Sequence, residues 1–440
     1  MQQHDLDRRV RAFFSAATLL FLSACAESGS SAGPPEEIGS GAASGSGSGN
    51  TSAGGSAAGG SASSSGGNPT GGNATGGSTQ SNGGTSSAGT GGSSAGSSGA
   101  GTGSSPGTIM ATPDDAATAY AAFKSYFETC GDGSIRVKTN GDETVSEGIA
   151  YGMLAAVGND DQASFAGLWS YYQNHQNQNG LMDWKINACS GEVWEAGAAS
   201  DADLDAAMAL VQADCKWGGY LGAATTLMAS IRNHEVATSG AELVLKPGDA
   251  WGGENCTNPS YFAPGYYRVF AQKHGAEAAT WNKLADDSYV LLERTAHDST
   301  GLVPDWSDAW GNPGGGGGCR NDKVNYTYDA ARTPWRFATD YVWFQNQSAA
   351  SWLNKVTAWV PDIYNLGDGF SLSGSELSSN HNSVFVGGFA LGAMASSEEQ
   401  KSLFMGAFLS VNPSADNAYF QVALRSVYLL LAAGLFPAGC

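Results

Sequence analysis

Cations are scarce in this chain, and the short motifs that mark metal sites are missing. Its 440 residues contain 21 Lys and Arg against 41 Asp and Glu, which gives a formal net charge of −20. Nucleic acid is therefore excluded as an expected partner, because its phosphates are bound by clustered cations. No CxxC, CxxxC or HExxH motif occurs, and the histidines are scattered. We accordingly expect no metal and no other cofactor.

A long apolar run is also lacking. Arg8, Arg9 and Arg11 form a short basic stretch, and the apolar run at 12–24 that follows them is too short to span a bilayer comfortably. The pattern predicts a signal peptide over residues 1–24. The run ends in LSAC, and small residues directly before Cys25 resemble the lipobox of bacterial lipoproteins. We expect an exported protein anchored through a lipid on Cys25 at the bacterial cell envelope or surface; the alternative is an ordinary secretory signal with a stray cysteine.

Charge and large apolar side chains are both absent between Gly39 and Thr108. This segment is made of Gly, Ser, Ala, Thr and Asn with a few Pro and Gln, and it cannot build a hydrophobic core. We predict a lipidated N-terminus and disordered linker over residues 25–108, with a span on the order of 45 Å. The linker would hold the folded part, residues 109–440, away from the membrane.

Seven cysteines are present, and six remain when Cys25 is set aside. An even number suits an exported protein with three disulfides, although six cysteines allow fifteen connectivities and the sequence does not choose among them. The six are Cys130, Cys189, Cys215, Cys256, Cys319 and Cys440.

Convincing strand alternation is scarce, with 134–139 and 241–246 as the only candidates. Apolar residues instead recur at helical spacing in twelve stretches, which predicts an all-α fold with a minor β component. Twelve helices in one domain favour six helical hairpins closed into a ring, an (α/α)6 barrel. The stretches are 114–128, 144–157, 161–177, 201–213, 218–234, 259–273, 277–295, 328–345, 348–359, 383–396, 398–409 and 416–434.

The long connections between these stretches carry tryptophan. Loops of that length inside a compact domain are usually functional. Charged residues make up 14% of the chain and aromatic residues 10%, which favours a neutral polymer whose flat faces stack on rings. The connections lie at 180–200, 235–258, 298–327 and 363–382, and they hold Trp184, Trp251, Trp306 and Trp310.

Acidic residues stand at three of the predicted helix starts. Thr144 and Glu147 have the spacing of a capping box, in which Glu147 accepts a hydrogen bond from the Thr144 N–H. Asp201, Asp203 and Asp205 stand at a second helix start, where the helix dipole favours negative charge. An EF-hand is excluded there because the loop lacks the required Gly and Glu. We expect Asp205 to face solvent or a neighbouring helix.

The third helix start pairs Asp329 with Arg332. A local ion pair is the simplest interpretation. An arginine beside a carboxylate also keeps it ionised and oriented, which suits a group that takes a proton from water.

Together the three segments resemble glycoside hydrolase family 8, whose bacterial cellulases, xylanases, lichenases and chitosanases are built on an (α/α)6 barrel. The similarity runs from about residue 117 to 434. SEGIAYGMLAAV at 146–157 is similar to the family's S-E-G-x-x-Y-G-M segment, and YDAAR at 328–332 is similar to its Y-D-A-x-R run. The 199–217 segment resembles the family signature and departs from it only at Ala206.

This resemblance implies hydrolysis of a glycosidic bond with inversion. Glu147 falls on the family's general acid, Asp329 on its general base and Arg332 on the arginine that orients the base. Asp201 would hydrogen-bond the sugar at the cleavage point. The two carboxyls of an inverting enzyme stand roughly 6.5–9.5 Å apart.

Further segments imply contacts with the sugar chain. LMDWKI at 181–186 resembles the family's substrate-stacking segment, which falls on Trp184. NPSYFAPGYYRVFA at 258–271 resembles the segment whose sugar-contacting aromatic falls on Tyr261. Trp251 stands where a further subsite tryptophan is expected. Arg332 and Asp203 complete the residues that we expect to bind substrate.

We therefore expect a secreted, lipid-anchored monomer that cleaves β-1,4-glucan inside the chain. Asp329 argues against chitosan, because the chitosanase branch uses a glutamate from an inserted loop. Three alternatives remain: an endo-xylanase of the same family, a lichenase, and a surface-tethered carbohydrate-binding protein that has lost catalysis.

Overall fold

The computed structural model describes residues 110–139, 141–413 and 418–440. The predicted signal peptide, Cys25 and the linker at 25–108 lie outside the described residues. No helix in the described ranges has both the length and the apolar character needed to cross a membrane.

Twelve α-helices occur within the described residues, each overlapping one of the twelve predicted stretches. They are α1 Pro113–Lys124, α2 Ser146–Gly158, α3 Gln162–Asn174, α4 Ser200–Trp217, α5 Leu221–His234, α6 Pro264–Lys273, α7 Ala278–Thr295, α8 Thr333–Phe344, α9 Gln347–Trp359, α10 Ser383–Gly392, α11 Glu398–Ser410 and α12 Ala418–Ala432.

Even-numbered helices form an inner ring and odd-numbered helices an outer ring. Helix α2 contacts α4, α6 contacts α8, α8 contacts α10, α10 contacts α12, and α12 returns to contact α2. Each odd helix packs on an inner one: α1 on α12, α3 on α2, α5 on α4, α7 on α6, α9 on α8 and α11 on α10. The predicted (α/α)6 barrel is confirmed.

The burial of side chains explains which helices lie inside. Every residue of α10 is buried, and α2 is buried from Gly148 to Val157, because inner helices have neighbours on all sides. Outer helix α7 instead buries one face that includes Trp281, Leu284 and Leu291. Close packing also requires glycine in α10, since a Cβ at Gly388 would lie 2.4 Å from the carbonyl oxygen of Ala331.

Nine short strands accompany the helices within the described residues. Strands β2 and β7 confirm the two predicted strands. The other seven were missed because strands of two to four residues are too short to show alternation. Antiparallel β3, β4 and β5 form a three-stranded sheet that leads directly into α2. The strands are β1 Phe127–Thr129, β2 Ile135–Val137, β3 Glu143–Val145, β4 Lys185–Asn187, β5 Glu192–Glu195, β6 Val236–Ser239, β7 Glu242–Leu245, β8 Gly369–Phe370 and β9 Glu376–Ser378.

Three disulfides use all six cysteines of the folded part: Cys130–Cys189, Cys215–Cys440 and Cys256–Cys319. The second joins α4 to the last residue of the chain across a sequence separation of 225 residues. A disulfide restricts the unfolded chain more when it closes a longer loop.

Replacing both Cys215 and Cys440 by Ser is expected to lower the free energy of unfolding by about 2–4 kcal/mol, because the loop that this disulfide closes is the longest of the three. Urea denaturation followed by far-UV circular dichroism measures the change. The wild type denatured with and without a reducing agent is the control. An unchanged urea midpoint in the double variant would contradict the expectation.

Candidate active site

Glu147 enters the barrel from the first turn of α2, and it does not serve as a helix cap. The residue before α2 is Val145, and no side chain caps this helix. The predicted capping box is wrong because Thr144 belongs to β3, where it pairs with Ile186. The N–H of Ser146 donates instead to the backbone oxygen of Trp184 at 2.9 Å. The Glu147 carboxyl is thus available for contacts inside the ring.

Arg332 joins the three predicted catalytic carboxyls. Its Nη1 lies 2.8 Å from Glu147 Oε2 and 2.7 Å from Asp201 Oδ2, and its Nη2 lies 2.7 Å from Asp329 Oδ1. These groups come from α2, from the first turn of α4 and from the residue before the 3-10 turn Ala330–Arg332. Three segments that lie far apart in sequence therefore meet at one buried guanidinium.

The shared guanidinium limits how far apart Glu147 and Asp329 can stand. Because the terminal nitrogens of a planar guanidinium are about 2.3 Å apart, the two bonded carboxylate oxygens are separated by at most about 8 Å. This limit allows the separation of roughly 6.5–9.5 Å that inverting glycosidases use to hold one sugar and one water. The side chains of Glu147 and Asp329 are 20% and 24% exposed, so each keeps a face toward solvent.

The surroundings of Glu147 favour its protonated form. Burial raises its pKa to about 8; the positive charge of Arg332 opposes this rise, and the charges of Asp201 and Asp329 add to it. The hydroxyl of Tyr419 also lies 3.5 Å from Glu147 Oε1, at the outer limit of a hydrogen bond. A glutamic acid that keeps its proton near neutral pH can donate it to a leaving group.

Asp329 is held at both of its oxygens. Oδ1 accepts from Arg332, and Oδ2 accepts from the indole N–H of Trp306 at 3.0 Å. We did not predict a role for Trp306. The only sequence signal for it was its place in the long connection at 298–327, which it shares with Trp310, so the sequence could not distinguish the two.

The predicted stacking aromatics have different environments. Trp251 is 37% exposed and stacks on Trp306, with ring centroids 5.3 Å apart. Trp184 is half-buried beside the start of α2. Tyr261 is only 8% exposed, and its ring face covers the guanidinium of Arg332 at 5.2 Å. Trp251 thus offers an accessible ring, whereas Tyr261 mainly supports Arg332; their contacts with a sugar remain predictions.

Two aspartates at the start of α4 are buried, which corrects the expectation for Asp203 and decides between the two alternatives for Asp205. Asp203 was predicted to bind substrate, but it has no exposed surface and accepts a hydrogen bond from the hydroxyl of Tyr172. Asp205 does not face solvent. It bonds both terminal nitrogens of Arg336 on α8, at 2.5 and 2.8 Å, so the neighbouring-helix alternative is correct. The physical reason is that α4 is an inner helix and is covered on every side.

Burial also sets the protonation of Asp203. It raises the pKa of Asp203 to about 7, and burial together with the charge of Asp203 raises the pKa of Glu235 well above its ordinary value. A carboxyl group whose pKa is raised in the folded state stabilises the fold most at acidic pH, where it is protonated. This stabilisation is lost as the pH rises through about 7.

The Asp203→Asn variant is expected to keep kcat and KM for a soluble β-glucan within about twofold of the wild type, because its side chain does not reach the site. Its melting temperature should also fall less between pH 5 and pH 8 than that of the wild type, since an amide does not ionise. Asp201→Asn is the matched comparison and should lower kcat by about a hundredfold or more. Equal losses of kcat in both variants would contradict the correction.

Within the ranges that the structure describes, no group of three or more His, Cys, Asp or Glu is placed to hold a metal ion. The groups that meet at Arg332 are three carboxyls and one fixed positive charge.

Known proteins are similar to this chain in sequence and in fold. Residues 107–434 match the family model described as glycosyl hydrolases family 8. The chain is 40% identical to Endoglucanase A of Acetivibrio thermocellus over 309 residues, which is 67% of this chain and 63% of that protein. It is 39% identical to Endoglucanase 2 of Ruminiclostridium josui over 306 residues, 67% of this chain and 64% of that protein. The chain thus spans slightly less than two thirds of these relatives.

Solved structures of known proteins are also similar to this chain in fold. The apo β-1,3-1,4-glucanase from Paenibacillus sp. X4 superposes with a TM-score of 0.66 and 28% identity, covering 75% of this chain and 96% of that one. A GH8 xylobiose complex from Teredinibacter turnerae superposes with a TM-score of 0.65 over 74% of this chain and 95% of that one. Its identity is 22%, and the likeness therefore concerns the fold alone.

Proposed function

Because the chain belongs to glycosyl hydrolases family 8, we propose that it is an endo-acting glycoside hydrolase that cleaves β-1,4-glucan with inversion. The observation that carries the proposal is the buried Arg332, which gathers Glu147, Asp201 and Asp329 at one point. Hydrolysis of a glycosidic bond needs one carboxylic acid and one carboxylate on opposite sides of a sugar. The three carboxyls can supply both groups.

Glu147 is the proposed general acid. Its pKa of about 8 leaves it mostly protonated at neutral pH, so that it can transfer a proton to the glycosidic oxygen as the bond breaks. Breaking the bond leaves positive charge at the anomeric carbon and a neutral hydroxyl on the departing sugar. The buried carboxyl of Asp201 is the proposed hydrogen-bond acceptor for the distorted sugar at the cleavage point.

Asp329 is the proposed general base. Arg332 and Trp306 each donate to one of its oxygens, and these two donors fix the plane of the carboxyl group. A water molecule between Asp329 and the sugar would lose a proton to the carboxylate as its oxygen bonds to the anomeric carbon. Attack from the face opposite the leaving group inverts the configuration.

A glucan is the substrate class that the relatives favour, since those at 39–40% identity are named endoglucanases. Mixed-linkage β-glucan is the second candidate, because the 28% identical structure belongs to a β-1,3-1,4-glucanase. The exposed ring of Trp251 supports either polymer, because the apolar face of a pyranose packs on an aromatic ring. All the proposed catalytic groups lie in one barrel, which supports action as a monomer.

Release of reducing sugar from carboxymethylcellulose, lichenan, xylan and chitosan tests the function and ranks the substrates. We expect turnover on carboxymethylcellulose, with viscosity falling early relative to new reducing ends, as for cleavage inside a chain. Proton NMR of the first product from a cello-oligosaccharide should show the α-anomer. The β-anomer would contradict inversion, and retained binding without turnover on any polymer would indicate a carbohydrate-binding protein.

We also propose that a lipid on Cys25 holds the protein at the bacterial cell envelope. The support comes from the sequence alone: a basic start, a short apolar run and small residues directly before Cys25. In the native host, the wild type should incorporate a labelled fatty acid and sediment with membranes, whereas Cys25→Ser should do neither. An unlabelled wild type in the soluble fraction would contradict the lipid and leave the hydrolase proposal intact.

A further inference from the structure

Trp306 lies between the exposed stacking ring and the proposed base. Its indole N–H donates to Asp329 Oδ2 at 3.0 Å. Its ring is buried beneath Trp251, with an interplanar angle of 21°, and it meets Tyr261 edge-on at 6.1 Å. The two neighbouring rings restrict the orientation of the indole.

The backbone around Trp306 is fixed as well. The Trp306 N–H donates to the Lys323 oxygen at 3.1 Å, and the Trp306 oxygen accepts from the Gly314 N–H at 2.7 Å. The backbone that carries the indole is therefore hydrogen-bonded at two other positions of the same long connection, 298–327.

The preceding residue, Asp305, holds the turn that carries Asp329. Its buried Oδ1 accepts from the N–H of Thr327 at 3.0 Å and from the N–H of Ala330 at 2.8 Å. These two N–H groups lie on either side of Asp329 in the chain. Consecutive residues thus fix the backbone and the carboxylate of the proposed base.

We propose that Trp306 is a positioning residue for the general base Asp329, an inference that rests on the function proposed above. Arg332 donates to Oδ1 of Asp329 and Trp306 donates to Oδ2, so two donors set the plane of the carboxylate. Lone pairs of both oxygens remain free to accept from a water on the exposed side. Without the indole N–H, the carboxylate can rotate about its broad χ2 torsion and turn away from that water.

Trp306→Phe tests the proposal, because it keeps an aromatic ring under Trp251 and removes the N–H. We expect kcat on carboxymethylcellulose to fall by about tenfold and KM to stay within about twofold. A kcat equal to that of the wild type would overturn the inference.

Two further variants separate positioning from folding. Trp352→Phe is the matched control, since the buried Trp352 donates its indole N–H to the Gly301 oxygen at 2.9 Å on another part of the barrel. It should lower stability and leave kcat unchanged. Trp306→His returns a ring N–H to the position of the indole nitrogen, and it should recover a large part of kcat.

The outcomes also separate this inference from the proposed function. An active wild type with an unaffected Trp306→Phe variant overturns the positioning role alone. A wild type that hydrolyses none of the four polymers overturns the proposed function and the positioning role with it. If Trp306→Phe does not fold, a folded Trp306→His with a kcat near that of the wild type supports the inference, and one with a tenfold lower kcat overturns it.

Discussion

Glu147→Gln is expected to lower kcat on carboxymethylcellulose by about a thousandfold while KM changes little. Glutamine keeps the size of the side chain and can still accept from Arg332, but it has no acidic proton to give to the departing oxygen. A loss confined to kcat indicates a group that acts in the transition state rather than in binding. Initial rates of reducing-sugar release measure the effect.

The leaving group provides the control for this assignment. The nitrophenolate of a nitrophenyl cello-oligosaccharide leaves without full protonation, so Glu147→Gln should lose much less activity on this substrate than on the polymer. On the polymer, the rate of the wild type should fall as the pH rises through about 8, because the acid is active only while protonated and its pKa is raised to that value. Equal losses of activity on both substrates would contradict the role of general acid.

Asp329→Asn is expected to lower kcat by about a thousandfold or more on both the polymer and the nitrophenyl substrate. The amide cannot take a proton from water, and a better leaving group does not replace that step. The amide nitrogen also turns a second donor toward either Arg332 or Trp306, which already donate to the two carboxylate oxygens. Steady-state kinetics on the two substrates measure the effect.

Asp287→Asn is the matched control for loss of a largely buried carboxylate. Asp287 lies on outer helix α7 and accepts from the backbone N–H of Leu243 at 2.6 Å, away from Arg332. It should lower stability and leave kcat unchanged. If Asp329→Asn lost activity only on the polymer, Asp329 would not be the base, because the pattern would be that of the acid.

Helical periodicity predicted the barrel because each helix repeats its apolar positions over about three turns or more. Outer helix α7 shows this signal well, with buried Trp281, Leu284 and Leu291 on one face. Short strands carry no such repeat. Strands β3 and β4 could therefore not be predicted, although their pairing removes Thr144 from the predicted capping box and leaves the Glu147 carboxyl to meet Arg332.

The spacing of the three aspartates at the start of α4 does not show which of them reaches the active site. Asp201, Asp203 and Asp205 are spaced by two residues, so they point in different directions around an α-helix. Asp201 meets Arg332, Asp203 meets Tyr172, and Asp205 meets Arg336. Only the packing of the neighbouring helices determines which of the three reaches the site.

The sequence determined the number of helices and the barrel through its periodicity, and the resemblance of its short motifs to a known family indicated Glu147, Asp201 and Asp329, because periodicity and short motifs are local properties of a chain. The disulfide pairing, the burial of Asp203 and the contact of Trp306 with Asp329 were decided only by the tertiary structure. Each of these depends on which distant segments become neighbours when the ring of helices closes, and no spacing within a single segment contains that information.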